Sequence, residues 1–208
     1  MQLAVPVIGI LRGIAGDFAQ PLLATAFAAG LTAIEITLNT PDAAAIVARC
    51  RADVPPGKLL GMGTVRNAAE ADIAIGAGAM FLVTPNTDPK VIGLARHHEV
   101  PVIAGAFTPT EVYTAWSHGA DLVKVFPCGV VGAGYIRELR GPFDKIPMVA
   151  VGGVTLDNLG DFFAAGAVGV GVGNSLFGQA ALAARDLNGI TANIRRFLAG
   201  LPGKAEIR

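Results

Sequence analysis

Residues 101–126 read PVIAGAFTPTEVYTAWSHGADLVKVF. Two short apolar runs, Pro101 to Phe107 and Leu122 to Phe126, flank a stretch of helical composition from Pro109 to His118. Thr108 offers a capping hydroxyl, and Pro109 suits the first helical position, where a missing N–H costs nothing. Gly119 follows as a helix-terminating glycine. Apolar runs without alternation are what parallel strands buried on both faces require, so this stretch reads as a strand-helix-strand unit.

The unit recurs in both directions along the chain. Further strands are expected at Val5 to Leu11, Ala33 to Leu38, Leu59 to Val65, Phe81 to Thr84, Met148 to Val151 and Val168 to Val172. Helical composition lies at Asp17 to Ala29, Pro41 to Ala52, Ala68 to Ala77, Pro89 to His98, Tyr135 to Leu139 and Leu156 to Ala165, with a final helix from Ala180 to Leu198 and a frayed tail from Gly200. Thr40-Pro41 and Asp88-Pro89 repeat the cap-then-proline signal, and Gly30, Gly78 and Gly166 repeat the terminating glycine. Eight strands in 208 residues leave 208/8 = 26 residues per unit. Right-handed crossovers between eight such strands close into a (β/α)8 TIM barrel, a single α/β domain over residues 1–208. No linker, low-complexity tract or composition break divides it.

Composition narrows the function. The 16 basic and 16 acidic side chains balance, so the basic surplus that a nucleic acid or an anionic membrane surface would call for is missing. Hydrophobic residues at 52% exclude disorder, and glycine at 27 of 208 is about twice its usual share of roughly 7%. Mean hydropathy is +0.55, yet glycine, proline, asparagine or charge interrupts every apolar stretch well before the roughly 20 residues of a membrane span. The opening MQLAVPVIGILRGI lacks the basic start of a secretory signal, which gives a cytoplasmic expectation. Cys50 and Cys128 share no metal or redox spacing and are expected reduced.

Barrel enzymes carry their chemistry where strands end at the C-terminal face. The polar candidates there are Arg12, Glu35, Asn39, Thr64, Thr84, Asn86 and Lys124. Lys124 lies inside Leu122-Val123-Lys124-Val125-Phe126, where burial disfavours its charged form. A neutral amine is the state that adds to a ketone and forms a Schiff base. Glu35 lies in Ala33-Ile34-Glu35-Ile36-Thr37, where an unpartnered carboxylate costs several kcal/mol. The two could share a proton-transfer site, or form a purely structural ion pair with each other or with Arg12.

The glycine-rich ends of strands seven and eight, Val151-Gly152-Gly153-Val154 and Gly171-Val172-Gly173-Asn174-Ser175, let a phosphate approach the backbone, although glycines also serve turns alone. No dinucleotide fingerprint is present. His97, His98 and His118 fall at helix C-termini, where the dipole accounts for them. Cys128 could line the site. Tyr113 and Trp116, on a helix with alanine-rich neighbours, are expected to be packing residues, and Lys58, Lys90, Lys145 and Lys204 to be solvated.

Six ordered motifs carry a resemblance to a known family. They are Ile10-Leu11-Arg12-Gly13-Ile14, Glu35-Ile36-Thr37-Leu38-Asn39-Thr40-Pro41, Gly61-Met62-Gly63-Thr64-Val65, Val83-Thr84-Pro85-Asn86, Val123-Lys124-Val125-Phe126-Pro127 and Val151-Gly152-Gly153-Val154-Thr155. The chain resembles the class I aldolases of 2-keto-3-deoxy-6-phosphogluconate and 2-keto-3-deoxy-6-phosphogalactonate over nearly its whole length. The resemblance implies that Lys124 forms the Schiff base and that Glu35 is the acid-base group. It implies that Arg12 and Thr64 contact the substrate, and that Gly152, Gly153, Gly173, Asn174 and Ser175 hold its phosphate, with Asn174 where relatives often carry serine. Asn39 and Val151 stand where the phosphogluconate enzymes typically have arginine and threonine, so the phosphogalactonate branch is the better match.

Cleavage to pyruvate and glyceraldehyde 3-phosphate, no metal or other cofactor, and a homotrimer follow from the same resemblance. Three other readings stay open on the residues. They are a phosphosugar isomerase using Glu35 as base, a silent phosphosugar-binding barrel, and a metal-dependent aldolase.

Overall fold

A computed structural model describes residues 3–203. Eight strands, β1 (Val7–Leu11), β2 (Ala33–Thr37), β3 (Leu59–Gly63), β4 (Leu82–Val83), β5 (Val102–Ala106), β6 (Leu122–Val125), β7 (Met148–Val151) and β8 (Gly169–Val172), form a closed barrel in sequence order. Every pairing is parallel, and β8 returns to β1 through Val7↔Val170 and Gly9↔Val172. The expected (β/α)8 barrel is what the chain forms.

Helices α1 (Gly16–Ala28), α2 (Ala43–Cys50), α3 (Ala68–Gly76), α4 (Pro89–His97), α5 (Pro109–Ser117), α6 (Gly132–Arg140) and α7 (Leu159–Ala164) follow strands one to seven. Short α8 (Asn174–Phe177) and α9 (Gln179–Ala183) precede α10 (Leu187–Ala199). Side-chain caps open α3, α4, α5 and α10. Asp88 accepts from Lys90 N–H, and Thr108 and Glu111 make a reciprocal capping box, each with proline in the first turn.

Two helix expectations fail. Pro41 does not open α2, because Asp42 is left-handed at φ 56° and the helix begins at Ala43. The Thr40 hydroxyl turns away from α2 and accepts from Gly13 N–H at 2.9 Å. The single closing helix is broken into α9 and α10, because Arg185 is left-handed at φ 53° and Asp186 caps a new start by accepting from Gly189 N–H. The tail beyond 203, with Lys204, lies outside the described residues.

Side chains divide into two apolar layers. The larger one joins the outer strand faces to the helices, with Leu22, Val47, Ile92, Phe162, Ile194 and Phe197 among its buried members. The smaller one fills the barrel interior with Ile8, Phe81, Val83, Ile103, Leu122, Val149 and Val151. With Ile8, Leu122 and Val149 filling the lower interior, inward positions nearer the C-terminal strand ends are left to Glu35 and Lys124. Alternation along a strand accounts for this: Ala33, Glu35 and Thr37 share one face of β2, and Leu122 and Lys124 share one face of β6.

Candidate active site

Seven strand-end and loop segments converge on a cavity of about 470 Å³ at the C-terminal face, within the range of small-molecule sites. Ten of the residues singled out by sequence line it: Arg12, Glu35, Thr64, Lys124, Val151, Gly152, Gly153, Gly173, Asn174 and Ser175.

Lys124 comes from β6 and is 7% exposed, and its Nζ lies 4.8 Å from the ring centroid of Phe126. Burial lowers its pKa; Glu35 opposes that shift and the Arg12 cation adds to it. Glu35 comes from β2 and is 2% exposed. Burial raises its pKa to about 7 against the opposing charges of Lys124 and Arg12. Its Oε2 is buried with no hydrogen-bond partner. A buried acceptor left open in this way fits a group that waits for a proton or a ligand.

The backbone makes the seat for this carboxylate. A Cβ added at Gly63 would stand 2.4 to 2.6 Å from the Glu35 carboxyl atoms, so the carboxylate packs on bare main chain. The next residue, Thr64, lies at φ 60°, an outlier for a β-branched residue, and lines the cavity.

The opposite wall is glycine. Gly152 and Gly153 at φ 90° and 71° end β7, and Asn158 pins their loop by donating to the Gly153 carbonyl at 2.9 Å and accepting from Thr155 N–H. Asn174 and Ser175 open α8, where leading amides have no partner within the helix.

Sequence reasoning assigned no role to other lining residues, including Ile10, Pro85 and Phe126. Two were findable, since Ile10 and Phe126 stand two residues from Arg12 and Lys124 on the same inward face. Several candidates fall elsewhere. Asn39 is exposed in the turn after β2. Thr84 donates to the Asn86 carbonyl and accepts from Gly105 N–H, folding the loop that carries Pro85. Cys128 is buried outside the cavity wall, its Sγ donating to the Val125 carbonyl and its pKa pushed up to about 11 by burial. Tyr113 and Trp116 are 57% and 38% exposed on α5, and the Tyr113 ring stacks on that of Phe143. Among the described residues no cluster of three or more His, Cys, Asp or Glu has metal-site geometry, and no helix is long and apolar enough to cross a membrane.

The family model described as "Aldolase: KDPG and KHG aldolase" matches residues 2–193. The chain belongs to the KDPG and KHG aldolase family. A probable 2-dehydro-3-deoxy-6-phosphogalactonate aldolase of Rhizobium meliloti (strain 1021) is 37% identical, over 83% of this chain and 82% of the relative. The 2-dehydro-3-deoxy-6-phosphogalactonate aldolase of Escherichia coli (strain K12) is 36% identical, over 85% and 86%. The solved "Native KDPGal structure" superposes with a TM-score of 0.89 at 32% identity, covering 96% of each chain. Aldolase family membership accounts for a buried lysine and a buried glutamate meeting in one cavity.

Proposed function

We propose that this member of the aldolase family cleaves 2-dehydro-3-deoxy-6-phosphogalactonate reversibly to pyruvate and glyceraldehyde 3-phosphate through a Schiff base on Lys124. The observation that carries the reading is a buried lysine, its pKa lowered, sharing a cavity with a buried glutamate whose carboxyl titrates near neutrality.

Neutral Lys124 adds through Nζ to the C2 ketone, and the carbinolamine loses water to give an iminium. Glu35 relays the protons of that dehydration. Glu35 then accepts the C4 hydroxyl proton as the C3–C4 bond breaks, and the bonding electrons pass through C3 and C2 to the iminium nitrogen. Glyceraldehyde 3-phosphate leaves and an enamine remains. The proton on Glu35 returns to C3, and water hydrolyses the iminium to pyruvate and free Lys124. Arg12 and Thr64 hold the carboxylate end, while Gly152, Gly153, Gly173, Asn174 and Ser175 hold the phosphate, so the scissile bond is fixed between two anchored ends.

Incubation with pyruvate and borohydride tests the mechanism: peptide mass spectrometry should find a reduced adduct on Lys124. A wild-type chain that binds the phosphosugar acid yet stays unmodified would favour the isomerase or binding readings.

Of the two residues that separate the epimer branches, Val151 lines the cavity and Asn39 does not, so Val151 carries the galactonate assignment. A threonine there would add a hydroxyl near C4. Val151→Thr is expected to raise the ratio of kcat/KM for the gluconate epimer over the galactonate epimer by about tenfold, measured on both substrates. An unchanged ratio would remove the basis for choosing between them.

We also infer a homotrimer. Exposed apolar side chains support burial between subunits, among them Val130 at 75%, Tyr113 and Ile73. Light scattering on the eluting protein should return three times the chain mass of 21.2 kDa. The reading is of a cytoplasmic enzyme, with Cys50 and Cys128 free and buried.

A further inference from the structure

Arg12 stands one residue past the end of β1, on the exposed loop that leads to α1. A guanidinium on a loop can hold a carboxylate at a fixed distance from the reacting lysine only if the loop itself is fixed. The structure provides one side-chain anchor close to Arg12. Gly13 N–H donates to Thr40 Oγ1 at 2.9 Å, and Thr40 Oγ1 lies 3.1 Å from Thr37 Oγ1. Both threonines are buried, at 3% and 0% exposure.

The anchor is itself rigidly placed. Thr37 is the last residue of β2, two residues beyond Glu35 on the same inward face. A tight turn returns Thr40 beneath it, with Thr40 N–H donating to the Thr37 carbonyl at 2.8 Å. The loop that bears Arg12 is thereby tied, through one amide and two hydroxyls, to the strand that bears Glu35.

We propose that Thr40 is a positioning residue, setting the placement of Arg12 relative to Glu35 and Lys124 through the Gly13 amide. This rests on the reading that Arg12 holds the substrate carboxylate. Thr40 touches no reacting atom; its hydroxyl acts by fixing the backbone of the neighbouring loop at the barrel mouth. The role also explains why Thr40, followed by Pro41, does not cap α2: its single hydroxyl is engaged by a different element.

The test is a double-mutant cycle with the near-isosteric Thr40→Val. Thr40→Val should raise KM for the phosphorylated keto acid about tenfold while kcat stays within about threefold, because ground-state and transition-state anchoring weaken together. The pyruvate concentration for half-maximal borohydride trapping should rise in parallel. Thr40→Ser, which restores the hydroxyl, should return KM to within about twofold of wild type. In an Arg12→Ala background, Thr40→Val should have no further effect.

An unchanged KM, a serine variant as impaired as valine, or losses that multiply in the Arg12→Ala background would each overturn the assignment. Should Thr40→Val fail to fold, Thr37→Val interrupts the same hydroxyl pair and should raise KM in the same direction; an unchanged KM there counts against it equally. Wild-type protein that neither turns over nor traps pyruvate would overturn the aldolase reading instead, and this inference with it.

Discussion

Lys124→Ala is expected to abolish borohydride trapping of pyruvate and to lower turnover by on the order of 10⁴-fold or more, since the electron sink for C3–C4 cleavage is the iminium on that nitrogen. Lys124→Arg should be as inactive, because a guanidinium stays protonated and cannot add to a ketone. Neither loss should come from misfolding. The amine stands at the top of the barrel interior, above the apolar layer of Ile8, Leu122 and Val149, and its removal leaves that layer intact. Circular dichroism of both variants should match wild type. A Lys124→Ala protein that still turned over would assign the chemistry to Glu35 alone, as the isomerase reading requires.

Glu35→Gln is expected to lower turnover by about 10² to 10⁴-fold, the range for losing a positioned acid-base group, while leaving the Lys124 adduct detectable at long incubation. Wild-type activity should rise with pH through about 7 as Glu35 becomes the carboxylate that accepts the C4 proton. The amide variant should lack that rise. Stability should move the other way. Folding raises the Glu35 pKa from 4.5 to about 7, so the native state binds a proton that the unfolded state has lost across that window. Its stabilising effect is full below 4.5 and gone above about 7. Glu35→Gln should therefore gain stability over wild type by on the order of 1 to 3 kcal/mol between pH 5 and pH 8, read from denaturant midpoints at the two values. A gain that is the same at both pH values would contradict the raised pKa.

The barrel was legible because its strands are apolar on both faces and punctuated by caps and glycines, and residues 101–126 display all of these signals within one unit. Lys124 and Glu35 stood out for the same reason, as charges where the pattern allows none. What could not be read was where a loop would spend a hydrogen-bonding side chain. Thr40-Pro41 and Thr108-Pro109 look alike in sequence, yet Thr108 caps its helix while Thr40 ties down Gly13 on the neighbouring loop. The break at Arg185 and Asp186 escaped for a similar reason, since only the backbone conformation reveals it. How far the aromatic rings of α5 would be covered was equally hard to read, because the helix buries only its small Val112 and Ala115 face and leaves Tyr113 to stack on Phe143 at the surface.

Thr64 sets the interests of the fold against those of the reaction. A glycine would hold the left-handed backbone at φ 60° with less strain, and it would strip a polar side chain from a residue that lines the cavity. On the proposed role of Thr64 in holding the substrate carboxylate, the more comfortable barrel is the poorer catalyst, so improving this chain for heat resistance should leave position 64 untouched and look for gains among the outer helices.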